Sequence, residues 1–472
     1  MVVRARDPRG VPQARGKQAS WCHNSECFYT RTTGIWQTVW MEPVAPTHIT
    51  SLHIVPHVGD RSFTVVAELA GRRSGTELEV RLSDAEGQVA VARVPVVELG
   101  PSLRLPIPAG RVRLWSPSDP HLYDLDVRLL DGEEVIDEVA SYAGLRSVAI
   151  DGRRLLLNGE PVFQRLVLDQ GYWPDTLMTS PSDEALRADI ELSMAAGFNG
   201  ARLHQKVFEE RFYYHADRLG YLVWGEFPDW GAAGFGPVTD HQQPTASFIA
   251  QWCEVLRRDR NHPSIVGWCP LNETWQPITD RITQLDDVTH GMYWAAKAAD
   301  PTRPVIDASG YSHRVRGADV YDSHDYEQDP GHFRQNQDGL ADGAPFVNTH
   351  AGRRISIAYD GQPYMVSEYG GIWWNAEVVG SHPDGLPDDP NRVESWGYGQ
   401  KVATVEEWYD RFAGLTDVLL DDPQMFGYCY TQLTDTFQEQ NGIYTFDRTP
   451  KFDIARIREV QQRRAAFEGR EG

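Results

Sequence analysis

From about Arg146 onward the sequence repeats one unit, a helical stretch followed by a short apolar run: "DEALRADIELSMAAG" then "FNGARLH", "ERFYYHADRLG" then "YLVWGEF", "ASFIAQWCEVLRRDRNHP" then "SIVGWC". The first part of each unit has apolar residues three or four positions apart, and the second is too short for a helix. Helix-then-strand units build a parallel sheet, because parallel neighbours need a long crossover and the helices supply it. Such units over roughly three hundred residues predict a (β/α)8 barrel, here spanning 146–472.

The region before the barrel follows a different rhythm. Between Thr47 and about Tyr142, short alternating segments such as "SFTVVAEL", "ELEVRLS" and "LYDLDVRLL" are separated by Gly, Asp and Pro turns, which predicts an antiparallel, immunoglobulin-like β-sandwich over 44–145. Residues 1–43 contain only two strand-like runs, "VVRAR" and "GIWQTVWMEP", too little to bury a core of their own.

Composition narrows the function classes. The chain has 472 residues with 15 Trp, 19 Tyr and 17 Phe, enough apolar material for two or three domains. Its net charge of -22 is spread along the chain, which disfavours nucleic acid and anionic membranes as partners. The sequence has no membrane-length apolar run and no signal-peptide core at its start, so a cytoplasmic location is expected. Five cysteines, Cys22, Cys27, Cys253, Cys269 and Cys429, lie outside any metal-ligand or CxxC spacing, so reduced thiols and no metal or other cofactor are expected.

Reacting groups in such barrels sit at the C-terminal ends of the strands. Two runs close on a carboxylate there: "SIVGWCPLNE", ending at Glu273, and "PYMVSEYGG", containing Glu368. A single strand-end Glu often belongs to a structural ion pair. Two facing carboxylates are what glycoside hydrolysis requires, one to protonate the leaving oxygen and one to attack or to direct water.

In this order, "YTRTTGIWQTVWMEP", "WSPSDPHLYDL", "NHPSIVGWCPLNE", "VSEYGG" and "NGIYTFDRTPK" resemble glycoside hydrolase family 2, the β-galactosidases, β-glucuronidases and β-mannosidases. The resemblance covers nearly the whole chain. It implies a jelly-roll sugar-binding domain, a sandwich and a catalytic barrel, with 1–43 as the C-terminal remnant of the jelly roll. It further implies Glu273 as acid/base, Asn272 as partner of the sugar 2-hydroxyl, Glu368 as nucleophile and Arg202, in "NGARLH", as the cation that keeps Glu368 ionised. "SHDY" resembles a His-x-Tyr pattern of related glycosidases, placing His324 in the pocket and Tyr326 on Glu368. The anionic nucleophile is then expected to raise the proton affinity of Glu273. Trp373 or Trp374 is a candidate for stacking on a sugar face.

Departures from the family pattern shape the substrate expectation. Where glucuronidases carry Asn-x-Lys to hold a uronate, this chain has Glu439 and Asn441, and an acidic residue there repels a carboxylate. Phe28 stands where an Asp commonly reaches the pocket, and Thr431 and Gln432 stand near the usual eighth-strand tryptophan. "QRLVLDQGYWPD" makes Asp169, Gln170 and Tyr172 candidates for sugar contacts. The expected function is a retaining exo-β-glycosidase acting on a small carbohydrate or glycoside with a neutral terminal sugar, β-galactosidase-like. The alternatives are a non-catalytic carbohydrate-binding relic and a β-mannosidase or β-glucuronidase type. Apolar residues of the remnant, Ile35, Trp36, Val39 and Trp40, are expected to cling to the other domains or to drive formation of a homo-oligomer.

Overall fold

The computed structural model describes residues 2–6, 13–19, 24–72, 74–231, 245–375 and 395–469; Cys22 falls outside them. The alternating segments form seven antiparallel strands: β1 (His48–His57), β2 (Ser62–Ala70), β3 (Thr76–Asp84), β4 (Gly87–Pro95), β5 (Ser102–Pro106), β6 (Tyr123–Asp131) and β7 (Glu134–Ala143). They make two sheets, ordered β1-β2-β5 and β4-β3-β6-β7. Every second residue of β2, β3 and β6 is buried, so Phe63, Val65 and Ala67 meet Leu78, Val80, Leu82, Leu125 and Val127 in one core. The sequence period of two is thus converted into a two-layer sandwich.

The barrel strands are β8 (Gln164–Asp169), β9 (Gly200–Leu203), β10 (Leu222–Glu226), β11 (Ile265–Cys269), β12 (Tyr321–Asp325), β13 (Tyr364–Gly370) and β14 (Met425–Thr431). All pair in parallel, in the order β11-β10-β9-β8-β14-β13-β12. Residues 305–309 complete the circle between β11 and β12, with parallel bridges from Trp268 to Val305 and from Asn272 to Ser309. On their other side, Gly310 N donates to Asp322 Oδ1 at 3.1 Å.

Helices α1 (Asp183–Ala195), α2 (Glu210–Leu219), α3 (Ala246–Asp259), α4 (Gln284–Ala299), α5 (Pro330–Gln337), α6 (Val405–Asp421) and α7 (Ile454–Gln461) alternate with these strands. Their ends are set locally. Ser182 accepts from Ala185 N at the start of α1, Thr283 and Asp286 form a reciprocal capping box on α4, and Gly220 ends α2 with φ 73°. Inside the barrel Gly267 makes room for Trp224; a Cβ there would lie 2.4 Å from the indole ring. Cys27, Cys253, Cys269 and Cys429 are free thiols. Among the described residues no helix is long and apolar enough to cross a membrane.

The N-terminal segment departs from expectation. Neither "VVRAR" nor "GIWQTVWMEP" forms a strand; the described residues before His48 contribute only isolated bridges, Gln18 to Tyr29 and Ser25 to Phe28. Strand-forming residues without a sheet edge to pair with leave their backbone groups unladdered, so they stay irregular. The segment instead lies on the barrel. Lys206 Nζ lies 5.1 Å from the Trp36 ring and 4.9 and 5.0 Å from the rings of Trp173 and Phe208, and Gln37 Nε2 donates to Val207 O at 2.8 Å. Ile35, Val39 and Trp40 remain exposed.

Candidate active site

Several strand ends contribute buried side chains to the barrel mouth. His324 on β12 and Glu368 on β13 are register partners, so their side chains leave the sheet on the same face. Glu273 follows β11 and is held by a hydrogen bond from its own N to Ser309 O at 2.9 Å. Its φ of 43° is a left-handed conformation that non-glycine residues adopt at a cost, one commonly found where a functional side chain is aimed.

Hydrogen bonds tie these groups together. His324 Nδ1 lies 2.8 Å from Glu273 Oε1 and 3.4 Å from Glu368 Oε2. Tyr326 donates to Glu368 Oε2 at 2.5 Å and is met by Thr431 Oγ1 at 3.0 Å. Arg202, almost wholly buried, donates from Nη1 to Glu368 Oε1 and to Ser367 O, both at 3.0 Å, and from Nη2 to Asn272 Oδ1. Its Nε donates to Glu226 Oε2 at 2.6 Å, so one guanidinium spans two buried carboxylates. Planar, always charged arginine suits such a bridge. Glu273, Glu368, Asn272, Arg202, His324 and Tyr326 are therefore brought into one cluster.

Other predicted residues lie elsewhere. Asp169 does not join the carboxylate pair: its Oδ1 accepts from Gly171 N, and burial followed by the charge of Asp189 pushes its pKa up to about 7. Strand alternation explains this, since Leu168 is the register partner of inward-facing Arg202 and its neighbour turns to the helix layer. Gln170 faces inward but donates to Gln432 Oε1 at 2.8 Å, which begins a chain through Asn441 to Glu439. Tyr172 packs edge-on against Tyr29. Trp373 directs its indole N–H to Ser395 Oγ at 3.3 Å and carries Lys401 over its ring at 5.9 Å; Trp374 is buried. Phe28 packs on Trp230, with centroids 5.3 Å apart.

The electrostatics revise two expectations. The pKa of Glu273 is lowered: burial, the largest single effect, raises it, but the hydrogen bond and charge of His324 together with the charges of Lys17 and Arg202 outweigh it. Sequence reasoning counted Glu368 as a neighbour of Glu273 and did not count these cations. Glu439, in turn, is no bare anion. Burial raises its pKa against the opposing effects of Lys17, Tyr29 and Asn441, and Tyr29 donates to its Oε2 at 2.6 Å. Lys17 is buried nearby; burial works against its charge, but the fields of Glu439, Glu368 and Glu273 hold its pKa above the usual lysine value. The case for repulsion of a uronate by Glu439 is correspondingly weaker.

Sequence reading missed Lys17, His204, Glu226, Ser309 and Asp322. Glu226 had a usable signal, because "YLVWGE" closes an apolar strand on a carboxylate just as the Glu273 run does. His204 lies two residues past Arg202, with Nδ1 3.2 Å from Glu226 Oε1, and burial followed by the Lys17 charge holds its pKa far below the usual histidine value. Lys17 had no signal: it arrives from 256 positions away from Glu273. Ligating atoms of Glu273, His324 and Glu368 lie within 4.8 Å of one another, the spacing of a metal site. Arg202 bonded to Glu368 and the nearby Lys17 would oppose a further cation, so the donor set fits a hydrogen-bonded cluster rather than a metal centre.

A family model described as "Glycosyl hydrolases family 2, TIM barrel domain" matches residues 148–466, and one described as "Glycosyl hydrolases family 2" matches residues 47–146. The chain is 28% identical over 428 residues to a beta-glucuronidase of Rattus norvegicus, covering 81% of this chain and 56% of that protein. It is 26% identical over 458 residues to a beta-galactosidase of Aeromonas hydrophila, covering 92% of this chain and 41% of that one. The chain thus spans about half the length of these relatives. The crystal structure of Ruminococcus gnavus beta-glucuronidase superposes with a TM-score of 0.68 at 20% identity, over 89% of this chain and 68% of that one, a likeness of fold. With both domain models matched in order along the sequence, the chain belongs to glycoside hydrolase family 2.

Proposed function

We propose that the chain is a retaining exo-β-glycosidase in which Glu273 is the acid/base and Glu368 the nucleophile, acting on a terminal neutral sugar in the manner of a β-galactosidase. The carrying observation is the close approach of two buried carboxylates, with His324 between them and ligating atoms within 4.8 Å. Retaining sites hold their carboxyls about 5–5.5 Å apart, whereas a gap of roughly 6.5–9.5 Å admits the water of an inverting enzyme. Arg202 and Tyr326 both donate to Glu368, which leaves it an acceptor suited to attack on the anomeric carbon. Asn272 Nδ2 has no hydrogen-bond partner among the described residues while its Oδ1 is held by Arg202, which suits donation to a sugar hydroxyl. A non-catalytic relic would have no need of this combination.

A β-glucuronidase type is the second reading, and buried Lys17 favours it, because it provides a cation beside Glu439. Rates on a panel of nitrophenyl β-glycosides separate the two; a β-glucuronide turned over at least as fast as the neutral analogues overturns the neutral glycone. Glu273→Ala is expected to slow poor leaving groups far more than activated aryl glycosides and to be rescued by azide with a β-glycosyl azide product. Glu368→Ala is expected to be nearly inactive on both, with azide giving the α-product. If neither substitution lowers a measurable activity, the assignment is wrong.

A further inference from the structure

The protons around His324 can be assigned one by one. Beneath the site, Asp322 is a buried carboxylate that accepts from Gly310 N at 3.1 Å, from Ser309 Oγ at 2.7 Å and from Ser367 Oγ, with His313 Nε2 3.2 Å from its Oδ1. Burial raises its pKa, but the donors around it, His313 foremost, hold it far below the usual carboxylate value. Ser309 has a single hydroxyl proton, and a charged acceptor at this distance takes it in preference to a neutral one. Ser309 Oγ therefore turns a lone pair toward His324 Nε2, 3.0 Å away.

The other neighbour of Nε2 cannot supply a proton to it. Arg202 Nη1 is 3.4 Å away, but its two hydrogens are already directed to Ser367 O and Glu368 Oε1. Nε2 must then carry its own hydrogen, donated to Ser309. That leaves Nδ1, 2.8 Å from Glu273 Oε1, with room for one proton shared between the ring and the carboxyl.

We propose that Glu273 and His324 act as one proton store, with Asp322 and Ser309 fixing the ring so that the only exchangeable proton lies between Nδ1 and Glu273 and is the one delivered to the leaving oxygen. This rests on the acid/base reading of Glu273 and makes His324, Ser309 and Asp322 positioning residues that act through it. In the first half-reaction the Nδ1–H bond breaks as Oε1–H forms. The carboxyl proton then passes to the glycosidic oxygen, which takes the electron pair of its broken bond to carbon while Glu368 supplies a new pair to that carbon. In the second half, water gives its oxygen to the carbon, frees Glu368 and returns one proton to the pair.

The scheme also accounts for a general acid whose own pKa is lowered: the proton lies between Oε1 and Nδ1, 2.8 Å apart, rather than on the carboxyl alone. Several groups face the pair. Glu368 favours keeping the proton, Lys17 and Arg202 favour losing it, Tyr311 hydrogen-bonds Glu273, and neutral His204 and the Tyr326 and Tyr398 phenols complete the wall.

The test is the pH dependence of kcat/KM in the full chain and in Ser309→Ala, on one poorly and one highly activated aryl β-glycoside. Removing the acceptor of Nε2–H weakens the protonated pair, so the alkaline limb for the poor leaving group is expected to move down by roughly one pH unit, the scale of one charge-assisted hydrogen bond. The activated substrate should stay within about twofold at its optimum, since it needs little acid help. An unshifted limb, or an equal fall on both substrates at every pH, overturns the proposal. If Ser309→Ala does not fold, nitrogen-15 histidine NMR of the unmodified chain decides, with His324→Asn assigning the signal: Nε2 must stay protonated through the titration while Nδ1 changes. Loss of Nε2–H would overturn the scheme. A Glu273→Ala variant that keeps full activity on the poor leaving group would sink the acid/base reading itself, and is distinguishable from failure of the coupling.

Discussion

Replacing Arg202 by Met removes a cation that is 1% exposed and keeps a side chain of similar reach. Four neighbours lose it at once: Glu226 at 2.6 Å, Glu368 and Ser367 O at 3.0 Å, and Asn272 Oδ1. Removing one partner of a buried ion pair costs about 3–5 kcal/mol, mostly because the other charge is left uncompensated. With two carboxylates stranded, the upper part of that range applies, about 5 kcal/mol, or a fall in Tm of roughly 7 °C for a barrel of this length. Urea unfolding followed by circular dichroism reads the stability, and near-ultraviolet dichroism checks that the native packing survives. Glu226→Gln in the same background neutralises one stranded charge, so the double variant should lose less than the sum of the two single losses. A loss below about 1 kcal/mol for Arg202→Met, or simple additivity with Glu226→Gln, would refute the idea that this guanidinium neutralises both carboxylates.

Three further outcomes follow from the geometry. A Cβ on Gly310 would lie 2.5 Å from the His324 ring at a φ of +82°, so Gly310→Ala should cost about 1–3 kcal/mol and slow poor leaving groups about tenfold or more; unchanged kinetics would show that the ring position is not tightly set. Burial would raise the pKa of Asp300, but Arg303, Thr302 and Trp268 lower it from 3.8 to about 2, so its contribution is present above pH 3.8 and lost as pH falls through 2. It amounts to about 2 kcal/mol, and Asp300→Asn should be less stable than the parent at pH 6 by about that amount, with the gap closing toward pH 2 in acid titrations of urea stability; a gap that persists there refutes the linkage. Glu439→Gln removes an acid beside Lys17 and should raise the β-glucuronide to β-galactoside ratio of kcat/KM by about tenfold; a ratio that falls would mean Glu439 does not face the glycone.

Local patterning was enough to predict the layers and the two facing carboxylates. Period-two and helical patterns are local, and each short apolar run could satisfy its backbone only as a buried strand, which fixed the sandwich of β1 to β7 and the barrel of β8 to β14. Glu273 and Glu368 were legible because strand ends in a barrel converge whatever the loops do. Three things waited for the tertiary structure. Strand alternation decided that Arg202 faces the pocket while Asp169 does not, since a one-residue difference in register reverses a side chain. Lack of a sheet partner decided that "GIWQTVWMEP" stays irregular and docks through Trp36. The proton affinity of Glu273 depended on His324 and Lys17, which are remote in sequence and close in space. A proton affinity is a sum over every nearby charge and hydrogen bond, and only the folded chain says which of them are near.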